Sequence, residues 1–197
     1  PVRHSAEDGW DGGCLMAVME AIATTYLETV VSSVEFTSIP ATYEHLQVRI
    51  SGRSHRAPDV WPGGMEIIYV QFGTGGGAVD TGANYDRHYA RGSGSYTPGS
   101  YGYAAATYIS PARIMFPSNY ATLYSPALCD IYDYANTNKN TVCQFTSYTA
   151  NPGSTEVGFG MGMWDATTTI DRIKFSMQSL HDWERGTTFS LYGLNSA

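Results

Sequence analysis

The chain has 197 residues, a formal net charge of -7 and only 15% charged residues. That length suits one domain with at most a small appendage. The acidic balance, with no run of Lys or Arg, argues against a phosphate-backbone partner and excludes a nucleic-acid function. Fifteen tyrosines and 21 glycines favour strands and turns over helices.

No apolar run approaches the roughly 18 to 20 residues that span a bilayer as a helix, so no membrane partner is expected. No charged-then-apolar leader opens the chain, and it holds no N-x-S/T sequon with a permitted middle residue. Both features suit manufacture in a bacterial cytoplasm. Cys14, Cys129 and Cys143 make an odd number, which leaves at least one thiol free within the chain and speaks against a disulfide framework. Cys129 and Cys143 flank one turn out of register, so two small buried thiols are expected there rather than a bridge.

In chain order, residues 1–13 are polar and Gly-rich and predict an N-terminal arm, taken as residues 1–25. Within it, Leu15, Val18, Met19 and Ile22 have the spacing of a short helical stripe. The alternation of Ile22, Thr24 and Tyr26 competes as a strand. A short helix or coil is expected, leading into a first strand over residues 25–31, with the sandwich domain occupying residues 26–197.

From Ser33 the period is two. SVEFTSIP predicts a strand stopped by Pro40, and HLQVRISGR places Leu46, Val48 and Ile50 on one face. RSHRAPDVWPGG is a loop, and MEIIYVQF returns to strand with Ile68, Val70 and Phe72 on one face. Residues 73–102 are Gly-rich with almost no apolar periodicity and predict an extended loop. Short strands are expected over residues 103–108 and 112–116. Residues 127–134 and 141–148 predict a hairpin turned by ANTNKN.

In TEVGFGMGMW, Val157, Phe159, Met161 and Met163 alternate with Gly158, Gly160 and Gly162. A strand with only hydrogen on one face lets another group approach its backbone. Residues 170–194 close the chain as a strand pair, Ile173, Phe175 and Met177 on one strand and Phe189 and Leu191 on the other. Eight to ten strands with turns between them predict an all-β, antiparallel, jelly-roll-like β-sandwich.

Candidate chemistry is sparse. AVDTGA, around Asp80, resembles the aspartic-protease string, but a glycine run precedes it and no second copy follows. Asp80 is expected to be a turn carboxylate. The five histidines, His4, His45, His55, His88 and His181, lack zinc spacing. Asp130 and Asp133 are expected on opposite faces of one strand. No nucleophile motif appears. No catalytic residue, cofactor or metal is therefore assigned, and an enzyme is not expected.

Aromatics in predicted loops, Trp61, Tyr85, Tyr89, Tyr96, Tyr101, Tyr103 and Trp183, either offer large contact area at little entropic cost or, as general burial tendencies favour, cover the ends of the sandwich. The polar gap SLHDWERG between the last two strands is the densest charged and aromatic cluster. The contact candidates are Trp183, His181, Arg185, Trp61, Tyr85 and Tyr89. On this reading, Trp183→Ala weakens binding without unfolding the domain.

Taken together, YLETVVSSVEFTSIPATYEHLQVRISGRS, VQF followed by DTGANY, DIYDYANTNKNT, GMWDATTTIDRIKF and GTTFSLYGL resemble a recurring structural domain of tailed-bacteriophage virions. The resemblance covers residues 26–194. It implies a non-enzymatic protein on the particle, as capsid decoration or as a head or tail fibre. A homo-oligomer, with a trimer as the expected state, would contact major capsid or fibre proteins. The alternative is a fibre tip or carbohydrate-binding module that holds host surface glycan. Some 25 residues precede the first family strand and would form an arm attaching the domain to a capsid or shaft.

Overall fold

The computed structural model describes residues 19–55, 65–93, 96–115, 122–149, 155–178 and 181–195. They are all-β, and every pair of neighbouring strands is antiparallel. The strands are β1 (Met19–Tyr26), β2 (Ser33–Thr37), β3 (His45–Gly52), β4 (Ser54–His55), β5 (Met65–Gly73), β6 (Tyr85–Ser93) and β7 (Tyr96–Ala106). Then follow β8 (Ile109–Met115), β9 (Ser125–Tyr132), β10 (Thr141–Thr149), β11 (Glu156–Trp164), β12 (Arg172–Met177), β13 (Asp182–Trp183) and β14 (Thr188–Leu194).

A large sheet runs β1-β14-β3-β9-β10-β11-β6-β7, and a four-stranded sheet runs β2-β12-β5-β8. The two pack face to face as a β-sandwich. The tiny β13-β4 pair forms a third sheet, bridged to Val31 through Trp183.

Period-two alternation explains the core. Leu46, Val48, Ile50, Cys129, Ile131, Phe145, Phe189 and Leu191 point inward from the large sheet. Val34, Phe36, Ile68, Val70, Phe72, Ile109, Ile173 and Phe175 meet them from the smaller one. Burying each such side chain stabilises by about 1.5 to 3 kcal/mol. Cys129 and Cys143 are free and buried. They stand two residues out of register, Cys129 opposite Phe145 and Cys143 opposite Ile131.

Five expectations are corrected. The closing strands do not form a hairpin, because β12 pairs with β2 and β5 while β14 pairs with β1 and β3. Their apolar faces meet across the sandwich instead, with Phe175 and Phe189 rings 5.4 Å apart. Residues 19–26 are strand, not helix, so the sheet begins inside the segment assigned to the arm. Hydrogen bonding to β14, with a bulge between Ala21 and Ala23, overrides the helical spacing. Residues 27–30 do not continue the strand. The Gly-rich segment holds β6 and β7, which pair with each other from Tyr85 to Ala106. Finally, Asp133 is not on the strand with Asp130; it lies past the end of β9 with φ 49° and begins the turn.

Candidate functional site

The glycines of β11 face the interior. A Cβ built on Gly162 lies 2.5 Å from Ile109 Cγ2 and 2.8 Å from both Cγ1 and Cδ1. At Gly162 the group that approaches the bare backbone is therefore an isoleucine of β8, and at Gly158 it is Ser147 Oγ, 2.8 Å from a built Cβ. Since side chains alternate, Val157, Phe159 and Met161 must point out of the sandwich, and they are 59%, 45% and 46% exposed. Register sets their neighbours: Tyr148, Val157 and Gly92 form one row, and Thr146, Phe159, Ala90 and Ser100 the next. The result is an apolar ridge between two furrows. One furrow is floored by the small residues Ala90, Gly92, Gly99 and Ser100, and the other is lined by Leu128, Thr146 and Tyr148.

The inner face of β6 and β7 carries a second cluster. Tyr85, Arg87, Tyr89 and Arg91 alternate onto it, with Arg87 opposite Tyr103 and Tyr89 opposite Tyr101. The Tyr89 and Tyr101 rings stack with centroids 5.1 Å apart. The Arg87 guanidinium lies 4.5 Å from the Tyr103 centroid and 4.4 Å from that of Tyr108, and Tyr108 stacks in turn on Tyr69. Arg91 and Arg113 share Glu156, at 3.5 and 3.6 Å. Burial raises the Tyr69 and Tyr89 phenols above their ordinary value, so they stay neutral across the physiological range. Arg87, Arg91, Tyr69 and Tyr108 were not singled out in the sequence. The signal was the Y-x-R-x-Y-x-R alternation of residues 85–91, hidden inside a segment assigned to loop.

The contact candidates do not converge. Trp183 is fully buried, its ring edge-on to Phe189 at 4.8 Å and its indole N–H pointing to Phe175 O. It belongs to the core, not to an exposed loop. Its backbone also brackets Val31, with bonds of 2.7 and 3.2 Å. Tyr85 likewise lies on a strand and is fully buried. Its hydroxyl accepts the Phe72 N–H at 3.0 Å and lies 3.0 Å from Asp80 O.

His181 is half-buried and bonded to the buried Glu66. Arg185 is exposed, with Nε donating to Glu28 O. Tyr89 alone joins a candidate surface, and it does so from a strand. Trp61 lies outside the described residues.

Asp80 is the expected turn carboxylate. Oδ1 accepts the Gly82 N–H at 2.7 Å, and Oδ2 accepts from Asn84 at 2.9 Å and from Trp164 Nε1 at 2.8 Å. Burial alone would raise its pKa, but these three hydrogen bonds outweigh it and hold the carboxyl below its ordinary value. An acid–base carboxylate needs an oxygen aimed at substrate, and here both oxygens brace the loop. Glu44, His45 and Asp133 bring their ligand atoms together. However, His45 Nδ1 accepts the Asp133 N–H at 3.0 Å and Lys139 binds the Asp133 carboxylate, so this group braces the β9–β10 turn.

Comparison of the chain with family models, curated proteins and solved structures returns no match.

Proposed function

We propose that this chain is a non-enzymatic structural protein of a bacteriophage particle, a capsid-decoration or fibre protein whose jelly-roll-like sandwich self-associates through the outer face of β10, β11 and β6. The single observation that carries the assembly part is the outward ridge of Val157, Phe159 and Met161, where a β-sheet facing water usually presents polar side chains. The virion assignment rests on the ordered sequence strings.

The occupant of the face is a second copy. Ridge and small-residue furrow lie side by side on one surface, so two copies related by a two-fold axis seat ridge into furrow in both directions. A closed ring such as a trimer needs a further surface. Each ridge side chain is already about half covered, so completing its burial contributes on the order of 1 to 1.5 kcal/mol. Six of them across a two-fold interface supply roughly 6 to 9 kcal/mol against an association cost of about 4 to 15 kcal/mol. Tyr148 and Leu128 must therefore add contact area for a stable pair.

Labelling the protein on purified phage particles tests location, and a protein absent from particles ends the virion reading. Light scattering on the isolated chain tests assembly. The expected mass is that of an oligomer, reduced to the monomer by Phe159→Asp, whereas a wild type monomeric at high micromolar concentration refutes the face.

A further inference from the structure

The arginine–tyrosine ledge on the inner face of β6 and β7 is separate from the assembly face, and we propose that it binds an acidic saccharide. Tyr101 and Tyr103 are 38% and 48% exposed although both rings are braced, Tyr101 by the stacked Tyr89 ring and by the Arg91 guanidinium 5.2 Å from its centroid, and Tyr103 by Arg87. Two residues apart on one face of β7, the two tyrosines are rooted about 7 Å from each other along the strand, a spacing on the scale of two linked pyranose rings. A phenol ring held flat by a partner behind it offers the apolar C–H face of a sugar a rigid platform at little entropic cost. Backing by an arginine fixes Tyr103 further.

Charge selects the ligand's sign. The chain carries a net charge of -7, yet here three guanidinium groups, Arg87, Arg91 and Arg113, meet one paired carboxylate, Glu156. Arg87 Nε and Nη1 are buried without a hydrogen-bond acceptor among the described residues, and no described carboxylate pairs with Arg87, so its charge acts on a ligand through its field rather than through these two atoms. A ligand carboxylate held over the ledge meets an uncompensated positive field that a neutral sugar does not use. A peptide adding as a strand would use the edge of β7, whereas these rings project from its face. The saccharide therefore fits the arrangement better.

Calorimetric titration of the full chain with a galacturonate hexamer, a neutral maltohexaose and polyglutamate tests this. The expected result is saturable binding of the hexamer, at least tenfold tighter than either control and weakened by salt. Tyr101→Ala and Tyr103→Ala each lose at least tenfold, with circular dichroism and urea midpoint unchanged. Equal affinity for maltohexaose overturns the charge selection, and equal affinity for polyglutamate overturns the saccharide. No hexamer binding at millimolar concentration, or unaltered binding by both variants, overturns the site.

Discussion

Replacing Gly162 by Ala probes the feature from which the assembly face follows. The added methyl would sit 2.5 to 2.8 Å from three side-chain atoms of Ile109, which is itself fully buried. Ile109 is branched at Cβ and restricted at χ1, and turning it cannot carry both γ carbons away at once. Either β8 moves off β11 or Ile109 leaves its rotamer, and overpacking of this kind costs about 1 to 3 kcal/mol.

Gly92, which floors the furrow of the assembly face, supplies the internal control when the chain is kept dilute enough to be monomeric. It lies on the neighbouring strand, its φ is not in the left-handed region, and an added Cβ there meets nothing within 4 Å. Gly92→Ala is therefore expected within about 0.5 kcal/mol of wild type, or slightly stabilising. Urea unfolding followed by tryptophan fluorescence reads both, as a fall in midpoint at unchanged slope for Gly162→Ala. In an Ile109→Ala background the Gly162→Ala cost should largely vanish, since the three clashing atoms are gone. A neutral Gly162→Ala, or a cost that persists without the isoleucine side chain, refutes the inward orientation of the glycines and with it the outward ridge.

Three further outcomes are expected. Trp183→Ala should destabilise the domain by about 3 to 5 kcal/mol, seen as a lowered urea midpoint, because a fully buried indole leaves a large cavity. A folded variant of near wild-type stability would return Trp183 to the surface. Asp80 has a folded pKa depressed below its ordinary 3.8, so its contribution is present above that value and is lost as pH falls through the folded pKa. Acid titration of stability should show a part of the slope below about pH 4 that disappears in Asp80→Asn. Burial pushes the Cys129 and Cys143 thiols well up. Mass spectrometry should find both unlabelled by a thiol reagent at neutral pH until denaturant is added, and fast labelling of the native protein would contradict their burial.

Much of the fold was legible because period-two burial is a local property. Leu46, Val48 and Ile50, or Ile68, Val70 and Phe72, alternate so regularly that strand and buried face followed together. The Gly-rich segment was not legible. Residues 85–91 alternate tyrosine with arginine, a pattern without an apolar stripe, and its strand character comes from pairing with β11 and β7. Residues 19–26 failed for the opposite reason. Their apolar spacing suits a helix, but the free edge of β14 supplies hydrogen bonds that local preference does not register.

The sequence by itself determined an all-β chain, the strands with their inner faces, the turn role of Asp80 and the fate of two cysteines. Each depends on alternation or on neighbours a few residues away. Tertiary structure alone decided which strands share a sheet, since β12 and β14 are close in sequence yet lie in opposite sheets. It also decided which face of β11 is inside: alternation separates glycines from Val157, Phe159 and Met161, but only the approach of Ile109 determines which set meets the core. Trp183 shows the same limit. A tryptophan among charged residues resembles a surface contact until Phe175, Phe189 and Val31 close around it, because burial is a property of what packs from elsewhere in the chain.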